Sequence, residues 1–139
     1  MSEALISVII STYNQPDWLR LTLTGYEQQT FKDFEIIIAD DGSTNETKAV
    51  IDEFQKKSAL KIVHIWHKDD GFRKTKILNK AILASKGNYL IFTDGDCIPR
   101  KDFVEKHLML KQEGCFLSGG YFKLPLAISK LITRETIVN

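Results

Sequence analysis

Residues 87–96 read GNYLIFTDGD, and this stretch decides the fold expected for the chain. Tyr89 to Phe92 is apolar enough for a buried strand, which leads directly to Asp94 and Asp96. Two carboxylates one residue apart repel each other, and desolvating either of them is costly. A cation between them would offset that repulsion, and Gly95 removes side-chain bulk where the cation would approach. The stretch therefore predicts a strand that ends at a metal site.

Apolar runs alternate with helical patterns on both sides of this stretch. Buried strands are predicted over residues 4–10, 34–39, 60–66, 88–93 and 115–118. Helices are predicted from Pro16, after Ser43, over residues 75–85 and over residues 102–111. Strands that alternate with helices indicate an α/β fold, with a mostly parallel, Rossmann-like sheet and helices on both faces.

Two helix boundaries are predicted from local signals. Ser43 precedes Glu46 by three residues, a capping-box spacing that makes Ser43 the expected cap of the second helix. Gly87 follows the helical pattern of residues 75–85 and is the expected C-terminal cap of that helix.

The length and charge of the chain exclude several classes of partner. Its 139 residues fit one domain, and a net charge of +1 without a basic stripe argues against nucleic-acid binding. No apolar run approaches the roughly 20 residues of a membrane span. Two cysteines without a CxxC pair favour a reducing compartment. We therefore expect a cytoplasmic protein without a transmembrane segment, and peripheral association with the inner membrane surface stays open.

Polar segments follow three of the predicted strands, at residues 11–14, 40–43 and 94–96. Parallel strands place their carboxyl ends at one edge of the sheet, where ligands bind in such folds. A hard cation such as Mg2+ or Mn2+ held by carboxylates usually completes its shell with phosphate oxygens. We therefore expect a nucleotide there: Tyr13 can stack on the base, and Asp41 can accept from a uracil N–H. Arg73 can offset the charge of a diphosphate.

Other readings of these residues are less favourable. The GxGxxG, Walker and GxSxG patterns are absent from the sequence. A calcium loop starting at Asp94 is excluded because Ile98 and Pro99 replace a ligand and the turn glycine. A nucleotidyltransferase would require a glycine-rich basic loop after the first strand. Of the two histidines near the third strand, His64 is expected to be structural, and a cleft position is left open for His67.

Three blocks of the chain, in order, resemble family 2 glycosyltransferases. Residues 6–14 (ISVIISTYN) look like the opening strand of that family, and residues 28–43 (QQTFKDFEIIIADDGS) like its second block. Residues 79–82 and 87–96 resemble the third block, which ends in the DxD motif. The resemblance implies the A-type glycosyltransferase fold. It also implies metal-dependent transfer of a hexosyl group from a UDP-sugar to a glycan or lipid-linked acceptor in polysaccharide or surface-glycan biosynthesis.

The resemblance also implies roles for individual residues. Ser11, Tyr13 and Asp41 match the positions that hold the uridine, and Arg73 matches one near the donor nucleotide. Asp94 is expected near the ribose and the metal, and Asp96 is the expected metal ligand. The metal, Mn2+ or Mg2+, would stabilise the leaving diphosphate.

The chain departs from the family pattern in two respects. Leu78 stands where many relatives have Arg before the asparagine that matches Asn79, and Arg73 is expected to supply the charge instead. The family's catalytic base and acceptor site lie in a second half. Residues 1–139 are therefore expected to be the nucleotide-sugar-binding domain, with the acceptor half absent and the base beyond Asn139. The alternative is a binding module without turnover, and exposed apolar surface leaves a homodimer open.

Overall fold

A parallel four-stranded sheet forms the centre of the computed structural model, which describes residues 6–139. The strands are β1 (Ile6–Thr12), β2 (Phe34–Asp40), β3 (Lys61–Trp66) and β4 (Tyr89–Asp94). Their order is β3-β2-β1-β4, and all three ladders are parallel. The chain therefore builds outward from β1 to β3 and then returns to add β4 on the other side of β1. Sheets of this kind bind ligands where the order reverses, here beside β1.

Within residues 6–139 six helices accompany the sheet. They are α1 (Pro16–Glu27), α2 (Asn45–Lys57), α3 (Lys74–Ala84), α4 (Phe103–Leu110), α5 (Leu126–Ser129) and α6 (Arg134–Val138). The α/β class and the parallel sheet predicted from the sequence are thus confirmed. The predicted start of the first strand at Ala4 lies outside the described residues. None of these helices combines the length and the apolar character needed to cross a membrane.

The two faces of the sheet are covered unequally. Ile6, Val8 and Ile10 of β1 point to a large core shared with α1, α2 and α4. Ile9 points the other way, into a smaller core that α3 closes with Ile77. Both central strands are buried along almost their whole length because helices lie on each face. This explains why β1 and β2 read as continuous apolar runs rather than as alternating ones.

The predicted strand at residues 115–118 does not form. The segment is exposed, and the side chain of Phe116 is 89% accessible to solvent. A short apolar run becomes a strand only when a neighbouring strand accepts its backbone hydrogen bonds. In the part of the chain that is described, β4 pairs with β1 alone, and residues 115–118 pair with no strand.

Ser43 does not cap α2, contrary to the capping-box prediction. Thr44 is the N-cap residue, and neither side chain makes the expected local bond. Asn14 fixes this turn from another loop: its backbone N–H donates to Ser43 Oγ at 2.8 Å, and its Oδ1 accepts from the Thr44 N–H at 2.9 Å. The loops after β1 and β2 are therefore tied together directly above the carboxyl ends of the two strands.

Gly87 does not cap α3 either. The helix ends at Ala84, and Ser85 follows in an extended conformation. Gly87 instead lies against β1, where its N–H donates to Ser7 Oγ at 2.8 Å. A Cβ on Gly87 would come within 2.6 Å of the Ser7 backbone nitrogen. Ser7 in turn donates to the buried carboxylate of Glu35 at 2.7 Å. The glycine is required by this close approach.

We expect Gly87→Ala to lower the free energy of unfolding by about 3 kcal/mol, because the new methyl group would overlap the backbone of a central strand. Gly119→Ala is the matched control, since a Cβ there would meet nothing within 4 Å. Its effect should stay within about 1 kcal/mol. Urea unfolding followed by circular dichroism measures both variants. Equal losses would show that the contact with Ser7 is not the constraint.

Candidate functional site

A cleft of about 380 Å³ opens at the carboxyl ends of β1, β2 and β4. It is lined by Ser11, Thr12, Tyr13, Gln15, Ala39, Asp41, Asp69, Gly71, Phe72, Lys74, Ile77, Asp94, Gly95 and Asp96. The structure therefore brings together five of the six residues predicted for the site. The sixth, Arg73, contributes no side chain to the lining.

Asp94 is held by two donors at one of its oxygens. Ser11 Oγ donates to Asp94 Oδ1 at 2.6 Å, and Lys74 Nζ donates to the same oxygen at 2.9 Å. The hydrogen bond from Ser11, with the bond and the charge of Lys74, outweighs the effect of burial and holds the pKa of Asp94 below its ordinary value. The carboxylate is therefore ionised and oriented at neutral pH.

Asp94 and Asp96 provide a donor set that suits a hard divalent cation. Their carboxylate oxygens and the sulfur of Cys97 lie within 4.8 Å of one another. Burial, with the two neighbouring carboxylates, raises the pKa of the Cys97 thiol, so this group stays protonated and is a poor ligand. Mg2+ and Mn2+ favour carboxylate oxygens over sulfur. The ligands expected here are thus the two aspartates.

Gly95 also lies close against β1, a contact that the sequence did not predict. Its N–H donates to the Ser11 carbonyl at 2.8 Å, and its own carbonyl accepts from Thr22 Oγ1 at 2.7 Å. A Cβ would lie 3.2 Å from the Ser11 carbonyl oxygen and 3.2 Å from Thr12 Oγ1. The turn between the two aspartates is therefore anchored on both sides.

Asp41 organises the loop that forms the far wall of the cleft. His67 Nε2 lies 2.6 Å from Asp41 Oδ1, and the Arg73 N–H donates to Oδ2 at 2.9 Å. The Asp41 N–H donates to the Thr12 carbonyl at 3.1 Å, which ties the loop to β1. Each carboxylate oxygen has a further lone pair, so Asp41 can still accept from a base. His67 supports Asp41 and is not among the cleft-lining residues.

Tyr13 stands at the mouth of the cleft. Its hydroxyl donates to Asp69 Oδ2 at 2.7 Å, and Asp69 Oδ1 accepts from the Gly71 N–H at 3.1 Å. The hydrogen bond to Asp69 and the charge of that carboxylate raise the pKa of Tyr13. The residue is 46% exposed, which leaves ring surface for stacking.

The Arg73 side chain is not among those that line the cleft. Its Nε is 3.8 Å from Asp70 Oδ2, and it lines a neighbouring hollow that shares Phe72 and Lys74 with the cleft. Lys74 enters the cleft instead, and the sequence analysis missed it. A signal was available: α3 begins at Lys74, three residues before the fully buried Ile77. The spacing of three residues places Lys74 and Ile77 on one face of the helix. Arg73 is the N-cap residue and lies outside the helix, with a backbone φ of −130° and ψ of 34°.

Asp40 has a structural role, and it is not among the residues that line the cleft. Its carboxylate is buried, with His64 Nε2 at 2.8 Å from Oδ2 and the Ser43 N–H donating to Oδ1 at 2.9 Å. Burial alone would raise the pKa of Asp40, but the hydrogen bonds from His64 and Ser43 outweigh it and lower the pKa. His64 is structural as well, because its ring nitrogen Nε2 is engaged by the Asp40 carboxylate.

Asp40 should make stability depend on pH. The pKa of an unfolded-state aspartate is about 4, and the folded-state value lies below it. The contribution of ionised Asp40 is therefore complete above about pH 4 and is lost as the pH falls through the folded-state pKa. We expect urea unfolding to show a larger deficit for Asp40→Asn at pH 7 than at about pH 3. The same deficit at both pH values would contradict this assignment.

Comparison with known proteins places the chain among glycosyltransferases. A model of the family Glycosyl transferase family 2 matches residues 7–121. The chain is 34% identical over 106 residues to the chondroitin synthase of Escherichia coli, covering 76% of this chain and 15% of that protein. It is 30% identical over 121 residues to a putative teichuronic acid biosynthesis glycosyltransferase, TuaG, of Bacillus subtilis, covering 86% and 47%. The chain thus spans less than half the length of either relative.

Solved structures give the same picture. The structure of S. aureus TarS 1–349 in complex with UDP-GlcNAc is similar with a TM-score of 0.65 and 26% identity, covering 75% of this chain and 30% of that chain. A mannosyltransferase, PcManGT, from Pyrobaculum calidifontis, in complex with GDP-Man and Mn2+, has a TM-score of 0.67 at 21% identity, covering 75% and 31%. The second likeness bears on the fold alone.

Proposed function

The chain belongs to glycosyl transferase family 2, and from that premise we propose that it binds a UDP-sugar with a divalent cation for transfer of the hexosyl group. The observation that carries the proposal is the cleft, where the carboxylates of Asp94 and Asp96 face Tyr13 and Asp41. The acceptor we propose is a glycan or lipid-linked glycan, in polysaccharide or surface-glycan assembly. The relatives named as chondroitin synthase and teichuronic acid glycosyltransferase support that class.

The residues at the mouth of the cleft account for the nucleoside. Tyr13 offers exposed ring surface for the base, and Asp41 offers carboxylate lone pairs to the N3–H of uracil. Cytosine has no proton at N3, so a carboxylate there favours uracil. The TarS structures with UDP-GlcNAc and with UDP, at 26% and 27% identity, support a uridine diphosphate donor.

The residues at the end of β4 account for the diphosphate. Asp96 and Asp94 would hold Mn2+ or Mg2+, and the bound cation would supply Lewis-acid stabilisation of the leaving group. Ser11 fixes one oxygen of Asp94, and Gly95 fixes the turn to β1. The chain therefore holds the Asp94 carboxylate, and the turn that carries Asp96, in place before any ligand arrives, which reduces the entropy lost on binding.

A second candidate function is a nucleotide-sugar-binding module that does not turn over alone. This function is favoured because two carboxylates of the cleft already bind other side chains: Asp41 binds His67, and Asp69 binds Tyr13. Asp94 and Asp96 are the proposed metal ligands. Among the described residues, no carboxylate of the cleft is left to deprotonate an acceptor hydroxyl. In this reading the base comes from beyond the described cleft.

Release of UDP from UDP-GlcNAc or UDP-glucose separates the two functions. We expect the wild-type protein with Mn2+ to bind UDP, and release of UDP from the sugar nucleotide would identify a self-sufficient enzyme. Binding without release would favour the module. A folded protein that neither binds nor releases UDP in the presence of Mn2+ would contradict both.

A further inference from the structure

The charge balance of the cleft is uneven. Four aspartates line it, Asp41, Asp69, Asp94 and Asp96. In the part of the chain that is described, Lys74 is the one Lys or Arg among the lining residues. A diphosphate entering this cleft would meet repulsion from the carboxylates, so its binding requires positive charge nearby. Lys74 is the cation that the protein itself supplies.

The position of Lys74 is set by the helix that carries it. Lys74 is the first residue of α3, and Ile77, one turn later, is fully buried in the smaller core. The ammonium reaches Asp94 Oδ1 at 2.9 Å while the Lys74 side chain remains 39% exposed. The helix therefore fixes the backbone of Lys74 beside the cleft, and its partly exposed side chain is accessible to a ligand there.

Lys74 and a divalent cation would compete for the same carboxylate, that of Asp94. Asp94 Oδ1 already accepts from Ser11 and from Lys74. An ammonium and a metal ion repel each other, so the ion pair of Lys74 with Asp94 opposes metal binding. Phosphate oxygens are strong acceptors for lysine, and a diphosphate would give the ammonium a new partner.

We propose that Lys74 exchanges partners in the cleft. Before the donor binds, Lys74 neutralises Asp94. When Asp94 binds the cation, Lys74 pairs with the diphosphate instead. This inference rests on the proposed function, because it takes the ligand to be a metal–diphosphate. Lys74 would then raise the affinity for the diphosphate and lower the affinity for the free cation, and the protein would favour the two ligands together over the metal alone.

Lys74→Met tests this exchange, and Lys76→Met is the matched control. Lys76 carries the same charge on the same helix, but it lines only the neighbouring hollow, whereas Lys74 lines the cleft as well. Mn2+ binding without nucleotide can be followed by the electron paramagnetic resonance of free Mn2+. UDP binding can be followed by calorimetry at saturating Mn2+. Neither measurement requires activity, and circular dichroism confirms that each variant is folded.

We expect Lys74→Met to tighten Mn2+ binding about threefold, which corresponds to the loss of one exposed ion pair. The same variant should weaken UDP binding about tenfold, the loss expected for a charged hydrogen bond. Lys76→Met should change neither affinity by more than about twofold. A merely structural role for Lys74 would not shift the two affinities in opposite directions.

Two kinds of failure are distinguishable. If the wild type binds Mn2+ and UDP but Lys74→Met does not move the two affinities in opposite directions, the exchange is overturned and the proposed function stands. If the folded wild type shows no Mn2+-dependent UDP binding, the proposed function is overturned, and the exchange with it.

Discussion

Asp96→Asn is expected to abolish the Mn2+-dependent part of UDP binding, with a loss of affinity of about 100-fold or more. Asp96 is exposed, and the side-chain hydrogen bond recorded for it is the weak one from the Cys97 thiol, at 3.7 Å from Oδ1. The substitution therefore removes one metal-ligand charge and hardly disturbs the fold. The free energy of unfolding should change by less than about 0.5 kcal/mol.

Asp33→Asn provides a control with the same change in charge. Asp33 is exposed just before β2, at the opposite end of that strand from the cleft. Calorimetry of UDP with Mn2+ should give the wild-type affinity for this variant. Metal dependence that survives in Asp96→Asn would show that Asp96 is not a ligand, even if the cleft binds UDP.

Asp41→Ala should produce the second large effect, on stability and on binding together. The change leaves His67 and the Arg73 N–H without their acceptor at a part-buried position, which costs about 2 kcal/mol of unfolding free energy. The loop over residues 67–73 also loses its attachment to the end of β2. We expect UDP affinity to fall about 50-fold or more, because the far wall of the cleft depends on this loop.

Asp70→Ala tests whether the effect belongs to Asp41 or to the loop in general. Asp70 lies in the same loop, but its side chain is 83% exposed and makes a single long ion pair with Arg73. Its replacement should change stability by less than about 0.5 kcal/mol. Urea unfolding and UDP titration measure the stability and the UDP affinity of both variants. Similar losses for the two would contradict the anchoring role of Asp41.

The sheet and its rim could be predicted from the sequence because the signals are local and repeated. Continuous apolar runs at β1 and β2 indicate strands buried on both faces, and the structure shows helices on both faces. The A-type glycosyltransferase fold implied by the resemblance is confirmed by the likeness to TarS. Parallel strands then place Ser11, Asp41 and Asp94 at one rim, since the carboxyl ends of the strands coincide.

The errors concern residues whose partners are distant in the chain. Ser43 matches a local capping pattern, but Asn14, about 30 residues earlier, supplies the acceptor and the donor at that turn. Gly87 matches a helix cap, but its absent side chain is explained by Ser7, 80 residues away. A local sequence pattern does not reveal contacts with distant residues. The sequence therefore predicts a helix cap in each case.

The omission of Lys74 from the predicted site has a different cause. The sequence analysis began the helix at residue 75, and that start leaves both side chains in a loop without a defined direction. The structure begins α3 at Lys74, which lines the cleft, whereas Arg73 is the N-cap residue that precedes the helix. The role of Arg73 near the diphosphate stays a prediction, and Lys74 is a second cation that a helix start at residue 75 leaves without a role.

Isothermal titration of UDP into the wild-type protein, with Mn2+ and again with EDTA, tests the central claim most directly. The arrangement of Tyr13, Asp41, Asp94 and Asp96 predicts saturable binding at one site with Mn2+ and its loss in EDTA. The claim would be contradicted by a folded protein that gives no binding heat with Mn2+, or that binds UDP equally well in EDTA.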